Sequence, residues 1–192
     1  MKKILYVLND CMRKFSYDRA SGLYRALQAL GEPFQLLILR LDVFSDFSPE
    51  HNRGEYNLFR LPDYSDFDGI LLDINRIFGS DANSADAGCV RDLMSVLAAS
   101  GRPVISMANH IPGFYYAGID NHEAMTSVIR HLHKQHGLND FWFAMGPEDN
   151  YENQVRLKGL MDYCDAHGIP MSEDRLYQES YIIESGVHAF HT

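Results

Sequence analysis

The chain has 192 residues, 46% of them apolar, which is enough for one ordinary domain or for two small lobes with cores of their own. Its 17 Lys and Arg are scattered among 26 Asp and Glu, leaving a formal charge of -9 and no basic stripe for a phosphate backbone, so direct nucleic-acid contact is not expected. No run reaches the roughly 18 to 20 apolar residues of a membrane span, and "KKILYVL" is cut short by Asn9 and Asp10, so a cytoplasmic chain without membrane contact is expected.

In chain order, "ILYVL" (4–8), "FQLLILRL" (34–41), "DGILLDI" (68–74) and "PVISM" (103–107) are near-continuous apolar runs, the pattern of strands covered on both faces. Helical periods separate them. Residues 16–30 align Leu23, Ala26, Leu27 and Leu30, with Gly31 as the stop; residues 84–99 align Val90, Leu93, Met94 and Leu97 ahead of Gly101. The connection 42–66 is polar and aromatic, and reads as a short, poorly formed helix or a surface excursion. Alternating strands and helices predict an α/β fold with a doubly wound parallel sheet.

After Pro112 and Gly113 the alternation restarts, which divides the chain into a first lobe over 1–112 and a second over 113–192. "YYAGI" (115–119) reads as a strand or its approach, Asp120 or Asn121 caps a helix to about His136, and "FWFAMG" (141–146) is a further strand. A helix from about Tyr151 to His167 brings Val155, Leu157, Leu160 and Met161 to one side, and Gly168 ends it.

The chemical candidates are few. His131, His133 and His136 lie on one helix, and His133 and His136, three apart, could share a metal. No HExxH and no cysteine pair supplies further ligands, so the histidines read as polar helix surface and no metal is expected. Cys11, Cys89 and Cys164 are odd in number and far apart, which suits reduced thiols. No GxSxG, GxGxxG or Walker A sequence is present, so neither a hydrolase nor a nucleotide cofactor is indicated, and no cofactor is expected.

What remains is positional. Ligands of open α/β sheets sit beyond the carboxyl ends of the strands. Those ends carry Asn9, Asp10 and Tyr17 after the first strand, Asp73 and Asn75 after the third, and Asn109 after the fourth. Polar groups beside aromatic rings suit a sugar-like molecule, with hydroxyls at its edge and apolar faces to stack on. For any single residue here, a solvated loop position is an equal reading.

The segment 102–170 then carries a set of landmarks in order: "RPVI", "IPG", "GIDN" opening a helix, "HG" ending it, "GPEDN", Arg156 and Gly159 in an R-x-x-G step, and "HGIP". In these it resembles the effector-binding domain of LacI/GalR-type regulators, relatives of the type 1 periplasmic binding proteins. The resemblance covers about residues 66–187 and, in outline, the first 65. It implies two Rossmann-like lobes joined by crossing strands, with a small effector held between them and lobe closure as the signal. Matched by position, Arg156 would reach the ligand from the second lobe, with Asn150 and Glu152 as further polar ligand-binding positions. A guanidinium suits that role because it offers a fixed fork of donors.

The chain also departs from the pattern. Ala108 stands where an acidic crossover residue is common, no helix-turn-helix precedes Met1, and Thr192 comes before the strands that would complete the second lobe. The expectation is therefore a truncated sensor domain without its DNA-binding headpiece. "EYNLFRLPDYSDFDGILLD" also resembles sensor domains that precede GGDEF-type signalling modules. Three readings follow in order: a ligand-sensing regulatory module with a small-molecule effector, expected to form a homodimer; a degenerate sensor serving dimerisation; and a Rossmann-like enzyme.

Overall fold

The computed structural model describes residues 1–9, 14–41, 48–74, 85–146, 148, 150–178 and 183–191. The chain separates into two compact units, 1–118 and 119–192.

In the first unit, β1 (Lys2–Asn9), α1 (Lys14–Ala29), β2 (Phe34–Leu41), α2 (Pro49–Tyr56), β3 (Gly69–Asp73), α3 (Ala85–Ala99), β4 (Val104–Ser106) and β5 (Tyr115–Tyr116) follow one another. The strands form one sheet in the order β2-β1-β3-β4-β5, each neighbouring pair parallel. This is the doubly wound α/β arrangement that the alternation predicts. The uninterrupted apolar run of β1 has a direct cause. Leu5 and Val7 join the cluster built with Val90, Leu93 and Leu97 of α3, while Tyr6 and Leu8, on the opposite face by strand alternation, are buried as well.

One expectation for this unit is corrected. Over 48–66 the chain is ordered rather than poorly formed. Ser48 caps α2 by accepting from the His51 amide at 3.2 Å, Pro49 sits in the first turn, and Tyr56, Phe59 and Tyr64 are buried in the same core as β1 and α3. The Tyr64 hydroxyl, donating to the Phe59 carbonyl at 2.5 Å, resolves the polar end of a ring that the core needs for its bulk. The helix expected over 16–30 is present as α1, with Leu23 and Leu27 half-buried, Ala26 exposed, and Leu30 beyond the helix end, 72% exposed.

The first compact unit runs to Gly118. β5 pairs with β4 (Ile105↔Tyr115, Ser106↔Tyr116), and Ala117 donates to the Ser106 carbonyl at 3.0 Å, so the segment after Pro112 still belongs to the first sheet. Pro and Gly at 112 and 113 mark a turn, which local composition alone does not distinguish from a change of lobe.

The second unit holds α4 (Asn121–His136), β6 (Phe143–Met145), α5 (Tyr151–His167), β7 (Leu176–Gln178) and α6 (Ile183–His191). β6 and β7 pair in parallel, and α4 lies against α5. Ile129, Phe141, Leu160, Tyr163, Cys164 and Ile169 form the core. Both long helices begin on a side-chain cap and end on glycine. Asp120 accepts from Glu123 N at 2.9 Å, Asn150 accepts from Asn153 N at 2.9 Å, and the helices stop at Gly137 and Gly168. Gly168 has φ 66°, where a side chain would be strained, and its amide returns to the last helical carbonyls. No described helix is long and apolar enough to cross a membrane.

Candidate functional site

In the first unit the carboxyl ends of β3 and β4 carry a dense polar network. Asp73 is 8% exposed, and both of its oxygens are engaged: Tyr6 Oη donates to Oδ2 at 2.6 Å and Arg19 Nη1 to Oδ1 at 2.6 Å. Arg19 reaches back from the early turns of α1 and also donates from Nη2 to the Met107 carbonyl at 3.3 Å, linking the helix to the segment after β4. Burial, and secondarily the Asp73 carboxylate, raise the Tyr6 hydroxyl well above the usual phenol range, so it stays a donor at all ordinary pH. Asn109, also buried, donates from Nδ2 to the Ile74 carbonyl at 2.9 Å, and its own carbonyl accepts from Ser106 Oγ at 2.5 Å. Asn109 thereby fixes the two adjacent strand ends to each other.

Of the residues named from sequence, Asp73 and Asn109 lie in this network. Tyr17, on α1, is 60% exposed, and Asn9 is the last residue of β1. Asp10 and Asn75 lie outside the described residues. Arg19 was missed. In sequence it is one polar residue in a helix, and only the fold shows that it turns inward to a carboxylate more than fifty residues away.

In the second unit Asn150, Glu152 and Arg156 come together at the start of α5. Asn150 is the helix cap, Glu152 lies in the first turn, and Arg156 Nη2 is 3.5 Å from Glu152 Oε2 one turn on. Arg156 Nε donates to Asn121 Oδ1 at 2.9 Å, so a residue at the head of α4 orients the guanidinium. About a third of the Arg156 side chain (34%) remains accessible, compared with 14% of Glu152. The carboxylate thus acts as an anchor, while part of the Arg156 side chain stays open to solvent or a ligand. Beneath them, Asn153 accepts from Gly146 N at 3.0 Å and donates to Gly146 O at 3.1 Å, fixing the end of β6 to α5. Asn121 and Asn153 were also missed, since an asparagine near a helix start reads first as a cap.

The R-x-x-G step has a packing meaning too. A Cβ on Gly159 would sit 2.6 Å from the His122 carbonyl oxygen, so only glycine lets α5 approach the head of α4 this closely. Two surface grooves of about 380 and 350 Å³ also lie along these helices, one around His133, Asp140, His167 and Arg175, the other around Arg130, Lys134 and Asp162. Neither includes Arg156. Among the described residues, no group of three or more His, Cys, Asp or Glu is placed to hold a metal ion.

No family model matches the chain, and no curated relative does. Solved structures do. A LacI family transcriptional regulator from Mycobacterium smegmatis superposes with a TM-score of 0.69 at 16% identity, over 98% of this chain and 60% of that one. A LacI family regulator from Lactobacillus casei with bound sucrose gives 0.65 at 18%, over 98% and 62%. A periplasmic binding protein/LacI transcriptional regulator from Alkaliphilus metalliredigens, complexed with D-xylulofuranose, gives 0.62 at 17%, over 94% and 57%. The chain thus has the periplasmic-binding-protein-like fold of these regulators and spans about three fifths of the length of each.

Proposed function

We propose that this chain is a ligand-sensing regulatory module that binds a small polar, sugar-like molecule and governs a transcriptional or signalling output. The observation that carries the reading is Arg156: a partly accessible side chain whose guanidinium is oriented by Asn121 and anchored by Glu152, at the start of α5. Such a fork matches vicinal hydroxyls or a carboxylate, and preorientation reduces the entropy lost on binding. The strand-end network of Asp73, Arg19 and Asn109 supports the reading from the first unit, at the position where open α/β sheets hold ligands. The likeness to regulators described with sucrose and D-xylulofuranose supports the ligand class.

Binding would act by favouring one conformation through its differential affinity, with no chemistry on the ligand. A cytoplasmic location and a homodimer belong to the same proposal. A second reading, an interaction module, draws on the exposed Tyr17, Tyr24, Leu30 and Ile38 of the α1–β2 region.

A thermal-shift screen of the chain against sugars, nucleosides, amino acids and small acids separates the two. A ligand at about 100 times its dissociation constant stabilises the folded state by about 2.7 kcal/mol, a shift of several degrees. If no compound raises the midpoint of the well-folded chain while it self-associates at micromolar concentration, the interaction module replaces the sensor.

A further inference from the structure

The histidines of α4 are not arranged as their spacing suggests. His133 turns away: its Nδ1 lies 3.1 Å from the Tyr163 hydroxyl and its ring 5.6 Å from that of His167. The pair that converges is His131 and His136, with Nε2 atoms 3.1 Å apart and ring centroids at 4.9 Å. Residues five apart on a helix point about 140° from each other, so this meeting is not imposed by helix geometry in the way an i,i+4 contact is. It becomes possible at the helix end, where His136 is the last helical residue before Gly137. Both rings are exposed, and a hydrogen bond between exposed groups only exchanges for one with water, which gives little reason for two imidazoles to meet nitrogen to nitrogen.

A metal ion gives one. With metal–nitrogen bonds of about 2.0 to 2.1 Å and angles between about 90° and 109°, two imidazole ligands of one ion lie about 2.9 to 3.4 Å apart. We propose that His131 and His136 form a two-imidazole chelate for a borderline divalent cation, Zn²⁺, Ni²⁺ or Cu²⁺, at the C-terminus of α4. Nitrogen donors select these ions over Mg²⁺ and Ca²⁺. With two protein ligands, the remaining positions are open to water, making the site exchangeable rather than a closed structural centre. The bound ion would tie together the last helical turn and so stabilise it.

Calorimetric titration of the chain with nickel, zinc and copper chlorides, with magnesium chloride as reference, tests this. One equivalent of a borderline ion should bind and raise the melting midpoint, and magnesium should do neither. H131A and H136A should each weaken that binding at least tenfold, because removing one arm abolishes the chelate, and the double variant, which keeps neither imidazole, should bind no more tightly than either single one. H133A should stay within twofold of the parent. Because both residues are exposed, metal-free melting should be unchanged in H131A, H136A and the double variant. Binding in the double variant as tight as in the parent, single variants weakened only about twofold, or no binding below millimolar metal would each overturn the proposal.

Discussion

Arg19 Nη1 and Asp73 Oδ1 lie 2.6 Å apart, joining α1 to the end of β3, with 20% and 9% of the two side chains accessible. A pair this sheltered is weakly screened, and Asp73→Asn takes from Arg19 its charged acceptor inside the fold. Asp73→Asn is therefore expected to cost about 2 to 4 kcal/mol, somewhat below the full cost of a buried pair because Arg19 keeps some water. Tyr6→Phe, which removes only the hydroxyl on Oδ2, should cost about 1.5 to 3 kcal/mol. Urea denaturation reads both, and a loss below about 0.5 kcal/mol for Asp73→Asn would mean that the pair is peripheral to the fold.

Arg156 carries the functional proposal, so its substitution is the direct test at the level of a single residue. Once a ligand is in hand, Arg156→Ala should weaken its binding by about 1.5 to 3 kcal/mol, the worth of a hydrogen bond to a charged group. Arg156→Lys keeps the charge and loses the fork, so it should recover only part of the affinity. Equal affinity across all three proteins, measured by calorimetry, would take Arg156 out of the site.

The parts of this molecule that were legible in the sequence are those governed by local rules. The β1 run is apolar because both faces of the strand are covered, and α5 announces itself through Asn150 at one end and Gly168 at the other. What was hidden depends on long-range partners. Arg19 acquires its meaning from Asp73, Asn121 from Arg156, and Tyr56 and Phe59 from a core that no local period marks. β7 and α6 were missed for a related reason. A three-residue strand such as Leu176–Gln178 is defined by pairing with β6 rather than by its own composition.

His133 should make stability depend on pH. Burial first, then the charges of Lys134 and His167, hold its pKa below the ordinary histidine value. The native ring therefore takes up a proton less readily than the unfolded one. As pH falls through about 6.5 the unfolded state binds protons first, and stability declines until the lower native value is passed. Asp162 titrates elsewhere: hydrogen bonds from Lys158 and His122 hold it below the usual carboxylate range, so its contribution is lost only in stronger acid. Melting midpoints between pH 7.5 and 5 should drop more steeply for the parent than for His133→Gln. Parallel curves would assign the acid sensitivity to other groups.

Gly159 couples the fold to the candidate site, because the helix contact it permits also brings the head of α4, with Asn121, to Arg156. Gly159→Ala sets two effects against each other. Alanine favours the helix by about 1 kcal/mol, while its Cβ, 2.6 Å from the His122 carbonyl oxygen, meets backbone that cannot swing aside like a side chain. Overpacking of this kind costs about 1 to 3 kcal/mol or more. With contact this short, the steric cost should exceed the gain in helix propensity, leaving the variant destabilised by about 1 to 2 kcal/mol. The displacement of α4 should also lengthen the Asn121–Arg156 hydrogen bond and loosen the guanidinium. Ligand affinity should therefore fall further in Gly159→Ala than in a variant equally destabilised in the core of the first unit, such as Leu97→Val. A Gly159→Ala protein as stable as the parent would mean that separating the two helices costs no more than the roughly 1 kcal/mol gained in helix propensity, and an unchanged ligand affinity would mean that the glycine has no part in placing Arg156.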